Sequence, residues 1–315
     1  MIKYVVKRFA QMIVVLFIVS LLVFLLTNFI GDPVDMLVPE NATLEQIESA
    51  RARLGLDKPL PVQYGIFIRD VLHYTYGKPA MDLIFERMPA TLELVAVAAC
   101  LVLCIAIPLG VYAGAYPKRA SSKLIMSGSI LGISLPSFWV GMMMIYIFAV
   151  VLRLLPASGR GNTVMVGNVA LSIFAPGGIR YVILPAITLA LTNVATMLRL
   201  TRSGILENMR QDYIKFARAK GVPAKSILFG HALKNALIPV VTIFGMDLGN
   251  MIAFTTITET IFAWPGMGKL LIDAINKSDR PIIVAYLMAA ACMFVVLNFI
   301  VDILYTLIDP RIELR

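Results

Sequence analysis

Apolar residues in this chain neither alternate nor form narrow amphipathic stripes over most of its length; they come in long runs divided by shorter polar stretches. A helix crossing the roughly 30 Å hydrocarbon core of a bilayer needs about 20 mostly apolar residues. Six runs are of that order: Phe9–Ile30, Leu92–Tyr116, Leu124–Val151, Tyr181–Leu198, Ala236–Thr258 and Ile282–Tyr305. They predict an all-α membrane protein with six transmembrane helices. Pro108, Pro136 and Pro185 fall within or near these runs and predict kinks, which a membrane helix tolerates where neighbours or waters meet the freed carbonyls. The first run exceeds a secretory h-region and is followed by Gly31-Asp32-Pro33 rather than a small-x-small site, so residues 1–30 read as an uncleaved anchor helix.

The polar stretches differ in kind. Residues 31–91 are long enough for a small helical subdomain. Within it, Thr43 with Gln46 three positions later fits a capping box, Leu44, Ile47 and Leu54 line one side, and Gly55 then Pro59 end the helix. A second amphipathic segment follows over Pro61–Tyr74, where Ile66, Phe67 and Leu72 are apolar. The third-to-fourth connection is rich in Gly, Asn and Pro and reads as a loop. The fifth-to-sixth carries Trp264-Pro265-Gly266 and then a predicted helix over Met267–Asn276, with Trp264 suited to the membrane interface. The other five runs make up a core over 92–315, with a connecting loop at 199–235. No internal repeat or low-complexity tract stands out.

Composition agrees: of 315 residues 59% are hydrophobic and 15% charged, against about 25% charged in soluble domains. The net charge of +9 is unevenly placed. Lys3, Lys7 and Arg8, Lys118, Arg119 and Lys123, eight cations between Arg199 and Lys234, and Arg311 and Arg315 share one side with four acids; the opposite side has twelve of each. By the positive-inside rule both termini and the 199–235 loop are cytoplasmic, and the excess charge reflects topology rather than nucleic-acid binding. Cys100, Cys104 and Cys292 sit inside spans and read as packing residues.

The inner loop is the most informative segment. Gln211-Asp212-Tyr213-Ile214-Lys215-Phe216-Ala217-Arg218-Ala219-Lys220-Gly221 predicts a short helix stopped by Gly221, with Pro223 opening the next. Alone it would be marginal in water. Tyr213, Phe216, Ala217 and Lys220 share a face at helical spacing, aromatic knobs beside a small residue. Two readings stand on these residues alone: a helix lying on anionic headgroups, or one seated in a protein partner.

Together with His231, Leu233, Lys234, Asn235, Ala236 and Pro239, this stretch resembles the EAA loop of permease subunits of binding-protein-dependent ABC importers, in the peptide, glutathione and nickel branch. Gly31-Asp32-Pro33, Leu54–Pro59, Thr201-Arg202-Ser203, Thr258–Phe262 with Trp264-Pro265-Gly266, and Asp302–Tyr305 with Asp309-Pro310-Arg311 are similar to that branch too. Lys215 and Phe216 depart from the usual Glu and Ala. The resemblance implies a type I importer permease fold in a bacterial inner membrane, forming half of a pathway for di- or oligopeptides. It implies as partners a second homologous permease, two cytoplasmic ATPase subunits or domains and an extracytoplasmic solute-binding protein. Asp212, Tyr213, Phe216, Ala217, Ala219, Lys220, Gly221, His231 and Asn235 then belong to the ATPase-coupling loop. The chain has no GxxxxGK[ST] and so does not itself cradle a nucleotide triphosphate; the resemblance implies no cofactor in this chain, with ATP and Mg bound by the partner ATPases.

Charges within spans are functional candidates by default. Asp247, with Asn250 almost a turn on, lies mid-way along the fifth run and either meets cationic cargo or pairs with the partner permease. Asp302 reads as a structural pair, while Glu93, Asn193 and Asn298 have no assigned role. His73 and His231 fall on opposite sides, and no metal site or nucleophile–base pair has a recognisable spacing. A secondary transporter would more typically show internal repeats, and an intramembrane enzyme a catalytic constellation. Neither is present, so an importer permease is the expectation.

Overall fold

The computed structural model describes residues 2–29, 43–73, 80–277 and 279–308. Gly31-Asp32-Pro33, Tyr74 and Asp309-Pro310-Arg311 lie outside them. The chain divides into two compact units, Met1–Met88 with Leu270–Phe299, and Pro89–Lys269 with Ile300–Arg315.

In the first unit, α1 (Ile2–Phe29) is a mostly apolar helix with its cations in the first two turns, followed by α2 (Leu44–Leu54) and α3 (Leu60–His73). The capping box is present: Gln46 N donates to Thr43 Oγ1 at 3.4 Å and Thr43 N to Gln46 Oε1 at 3.0 Å. Gly55 closes α2 in the left-handed conformation. Tyr64 of α3 lies against α1, its hydroxyl 2.5 Å from Ser20 Oγ and its ring edge-on to Phe17 and Phe24. Phe67 stacks beside it. Leu44, at the opening position of α2, is 81% exposed.

The second unit holds the body of the fold. Helix α4 (Ala80–Ala115) enters it from Pro89 onward; α5 (Ala120–Ser134), α6 (Ser137–Met144), α7 (Ile179–Asn208), α8 (Asp212–Ala219), α9 (Ala224–Ser226) and α10 (Leu233–Ile261) lie within it. Helices α11 (Met267–Asn276) and α12 (Arg280–Ile308) complete the chain. Small residues set the closest crossings. A Cβ on Gly110 or Gly114 of α4 would run into Thr201 or Ile205 of α7, and Gly204 of α7 lies against Ala236 of α10.

Among the described residues five helices are long and apolar enough to cross a membrane, and the pair α5 and α6 makes a sixth span if taken as one. That span is bent by 105° rather than continuous. The cause is Leu135-Pro136. Both residues are extended, with Leu135 at φ −88°, ψ 131° and Pro136 at φ −61°, ψ 133°, because proline lacks an N–H and pushes its predecessor out of the helical region. A π-helical segment, Ile145–Val151, continues α6, and a second, Ile227–Ala232, joins α9 to α10.

The third-to-fourth connection contains an antiparallel hairpin, β1 (Val164–Val166) paired with β2 (Val169–Leu171), where the sequence suggests only loop. Its signal is a Gly167-Asn168 turn between two short β-branched runs. Trp264 also departs from expectation. It is fully buried, with Nε1 donating to the Ala90 carbonyl at 2.9 Å, rather than lying at a lipid interface. The indole N–H finds a protein acceptor, so its ring packs inside.

Candidate functional site

Helix α8 has only eight residues, and one buried side chain does most to seat it. Ile214 is fully buried in a cluster with Val111 of α4, Ile205 of α7, Ile227 and Ala232 of the second π-helical segment, and Ala236 of α10. Met209, Ala217 and Val222 pack around its margin. The hydroxyl of Tyr213 donates to Asn208 Oδ1 at 2.7 Å and accepts from Asn235 Nδ2 at 3.0 Å, tying α8 to the end of α7 and the start of α10.

The helix stops as its sequence suggests. Gly221 takes φ +77°, Val222 N donates to the Ala217 carbonyl at 3.1 Å and Gly221 N to Arg218 at 2.9 Å, a Schellman-type closure. A side chain at residue 221 would be strained in that conformation.

The outward surface of α8 is therefore defined by what Ile214 leaves over. Phe216 is 62% exposed and carries the Lys220 ammonium 4.5 Å above its ring. Ala219 and Lys220 are exposed, as are His231 and Asn235 beyond the turn. Lys215 donates to Asp212 at 2.8 Å and holds that carboxyl below its usual range, although both groups are open to solvent and salt would screen them. Ala217 is half-buried against the cluster, and Tyr213 is held by two asparagines. The shared face inferred from spacing thus splits: Phe216 and Lys220 project outward, while Ala217 and the Tyr213 hydroxyl serve the seat. Ile214, absent from the sequence-derived site, is signalled only as the one large aliphatic residue of the helix.

A second constellation, also in the body of the fold, gathers charged side chains far apart in sequence. Glu93 accepts from Arg160 Nη2 at 2.5 Å and Nε at 2.9 Å, from Ser172 N and Ile173 N, each at 2.7 Å, and from Ser172 Oγ at 3.0 Å. Arg160 also donates to the Ala170 carbonyl on β2, so the pair pins the hairpin to α4. Nearby in the fold, buried Glu259 accepts from Thr91 Oγ1 at 2.6 Å and from Lys269 N at 2.9 Å, and Thr91 accepts in turn from Met267 N. Gly266 is required here, since a Cβ would overlap the Glu259 carboxylate. Glu93 is thereby paired and hydrogen-bonded and Glu259 hydrogen-bonded, as buried polar groups must be. They act as fasteners of the loops at this end of α4 and α10.

Asp247 and Asn250 lie elsewhere. On α10, Met246, Asn250, Phe254 and Ile257 form a stripe that this chain leaves exposed, with Asp247 half-buried at its edge. They do not meet the inner loop. Among the described residues no cluster of three or more metal-ligating side chains occurs.

A bundle of apolar helices that presents a seated helical loop at one end, and fastened loops at the other, has the build of a membrane transport subunit. The chain belongs to the family described as the binding-protein-dependent transport system inner membrane component, matched over residues 106–314, with that family's membrane-component N-terminal part matched over residues 1–95. It is 35% identical to the dipeptide transport system permease protein DppB of Alkalihalophilus pseudofirmus, over 99% of this chain and 100% of that one. It is 37% identical to the di/tripeptide transport system permease protein DppB of Pseudomonas aeruginosa (99% of each) and 36% identical to the oligopeptide transport system permease protein AppB of Bacillus subtilis (99% and 100%). A solved structure of the MetNI methionine ABC transporter, inward facing, superposes with a TM-score of 0.58 at 15% identity, covering 74% of this chain and 100% of that one. The fold is that of an ABC importer permease. This chain is accordingly a multi-pass inner-membrane permease component and not an enzyme.

Proposed function

We propose that this chain forms half of the translocation pathway of an ATP-driven importer of di- or oligopeptides. It works with a second homologous permease, two cytoplasmic ATPase subunits or domains that bind ATP and Mg, and an extracytoplasmic solute-binding protein. The peptide class rests on the names of its relatives. The observation that carries the coupling role is α8 itself, a helix rigidly seated by Ile214 yet presenting an aromatic side chain and a cation to solvent. An exposed Phe at the tip of a structured loop is a natural hot spot for a partner groove. The cation distribution supports cytoplasmic termini and a cytoplasmic 199–235 loop. Residues 1–30 then serve as an anchor, 31–91 as an outer-face subdomain and 92–315 as the permease core.

The test is reconstitution. The chain, purified with its membrane partner and ATPases, should take up labelled dipeptide into vesicles only with ATP on the ATPase side and the binding protein on the other. Phe216→Ala should leave the permease folded, because the ring is exposed, yet weaken ATPase association by about 30-fold, as expected for loss of a hot-spot aromatic. Unchanged association would remove α8 from the coupling surface. Uptake without ATPases, driven by an ion gradient, would overturn the importer reading itself.

Asp247 and Asn250 are assigned to the pathway because polar groups on an uncovered membrane helix face are costly against lipid and favour a cavity or a protein neighbour. Asp247 meets a cationic side chain of the cargo in this proposal. Asp247→Asn should lower uptake of cationic dipeptides about tenfold, the worth of a hydrogen bond to a charged group, while sparing neutral ones. An equal response of the two would assign Asp247 to contact with the second permease.

A further inference from the structure

The third-to-fourth connection encloses an open pocket of about 490 Å³ at the end of α7 opposite the 199–235 loop. It is lined by Arg153 and Arg180 together with Asn162, Tyr181, Gly161 and Gly177, and no Asp or Glu is among its lining residues. Both guanidinium-bearing residues are exposed, and neither is in an ion pair among the described residues. Arg180 Nη2 donates to the Leu154 carbonyl at 2.7 Å, which draws the ends of two spans together and leaves the rest of its fork available. The first turn of α7 likewise contains no acid.

The depth of the pocket points to its ligand. Arg153 lies two residues beyond the π-helical end of the third span at Val151, and Arg180 is the second residue of α7, the fourth span. Both thus stand where an apolar helix gives way to polar loop, and the Arg180–Leu154 hydrogen bond holds those two helix ends at one level. Leu152, Leu154 and Ile179, beside them, are exposed apolar side chains suited to acyl chains. A cationic fork with apolar flanks at this level matches a phosphodiester whose tails run down the helix ends. A zwitterionic headgroup would bring an ammonium to a lining of two cations and no acid, so an anionic headgroup is preferred.

We propose that Arg153 and Arg180 form a binding site for the phosphate of an anionic phospholipid in the leaflet facing away from the 199–235 loop. The site goes beyond the transport reading and depends only on the chain's being embedded in a bilayer.

The experiment is native mass spectrometry of the intact importer complex released from bilayers of phosphatidylethanolamine with and without phosphatidylglycerol. The expected result is selective retention of phosphatidylglycerol, reduced roughly tenfold in Arg153→Gln/Arg180→Gln. Arg153→Gln alone breaks no side-chain bond among the described residues, and should lose about fivefold. Millimolar inorganic phosphate should not displace the lipid. If phosphatidylglycerol is retained equally by both variants, the proposal is overturned. It is also overturned if inorganic phosphate displaces the lipid and binds alone, which makes the pocket a soluble-anion site. Loss of solute-binding-protein association with lipid retention unchanged would reassign the surface to a protein contact.

Discussion

Replacing Ile214 with alanine should abolish most uptake while leaving the permease in the membrane, and replacing it with aspartate should abolish all of it. An eight-residue helix has almost no stability of its own, because nucleation consumes what a few internal hydrogen bonds return. The position of α8 therefore depends on one buried aliphatic side chain inserted among Val111, Ile205, Ile227, Ala232 and Ala236. Truncating a buried Ile costs about 2–5 kcal/mol. At about 3 kcal/mol the ratio of seated to unseated helix changes by roughly 150-fold. The two hydrogen bonds of Tyr213 slow this loss without preventing it, since each contributes only about 1 kcal/mol net. An ionised aspartate in the same cluster has no partner and would force the helix out. The measurement is paired: uptake in reconstituted vesicles, and proteolytic cleavage within residues 209–223. Increased cleavage with lost uptake is expected from both variants. Lost uptake with cleavage unchanged would mean that the cluster acts on the pore rather than on α8.

Glu93→Ala should be the most destabilising substitution outside that loop. It would leave the largely covered Arg160 without its carboxylate and free Ser172 N and Ile173 N of their acceptor. Removing one partner of a buried pair costs about 3–5 kcal/mol, and the unmet N–H groups add to it. Glu93→Leu with Arg160→Met should be milder than either single change, because no charge is then left unpaired. Thermal unfolding of the detergent-solubilised complex would check the order. If the double variant is as unstable as Glu93→Ala, the backbone N–H groups that Glu93 satisfies matter more than its pairing with arginine. Since the network holds the hairpin and Arg160 lies 5.7 Å from the centre of the Trp264 ring, loss of binding-protein stimulation is expected to accompany the instability.

Much of this architecture is legible in the order of residues, for a reason specific to membranes. A bilayer imposes one length and one polarity on every crossing segment, so the apolar runs announce themselves. The short inner helix, its glycine stop, the capping box at Thr43 and the helix over Met267–Asn276 are equally local, each set by residues within one or two turns. The 105° bend is half legible. Pro136 announces a disturbance, but proline in a membrane helix is compatible with a mild kink or a full break, and neighbours decide which.

Other features depend on approach rather than order. Glu93 and Arg160 are separated by 67 positions, and Thr91 and Glu259 by 168, so nothing in either neighbourhood could announce the other. Trp264 shows the limit from the other side: its amphipathic ring suits an interface in general, yet here the Ala90 carbonyl lies within reach and burial wins. On α8, spacing groups Tyr213, Phe216, Ala217 and Lys220 on one face, whereas Ile214 determines how that face is rotated. The sequence alone thus determined which segments are apolar and long enough to cross, where the short inner helix lies and where it stops, since hydrocarbon thickness and backbone sterics act locally. Only the tertiary structure decided which side of that helix is offered to a partner and which buried charges meet, because both depend on side chains brought together by folding.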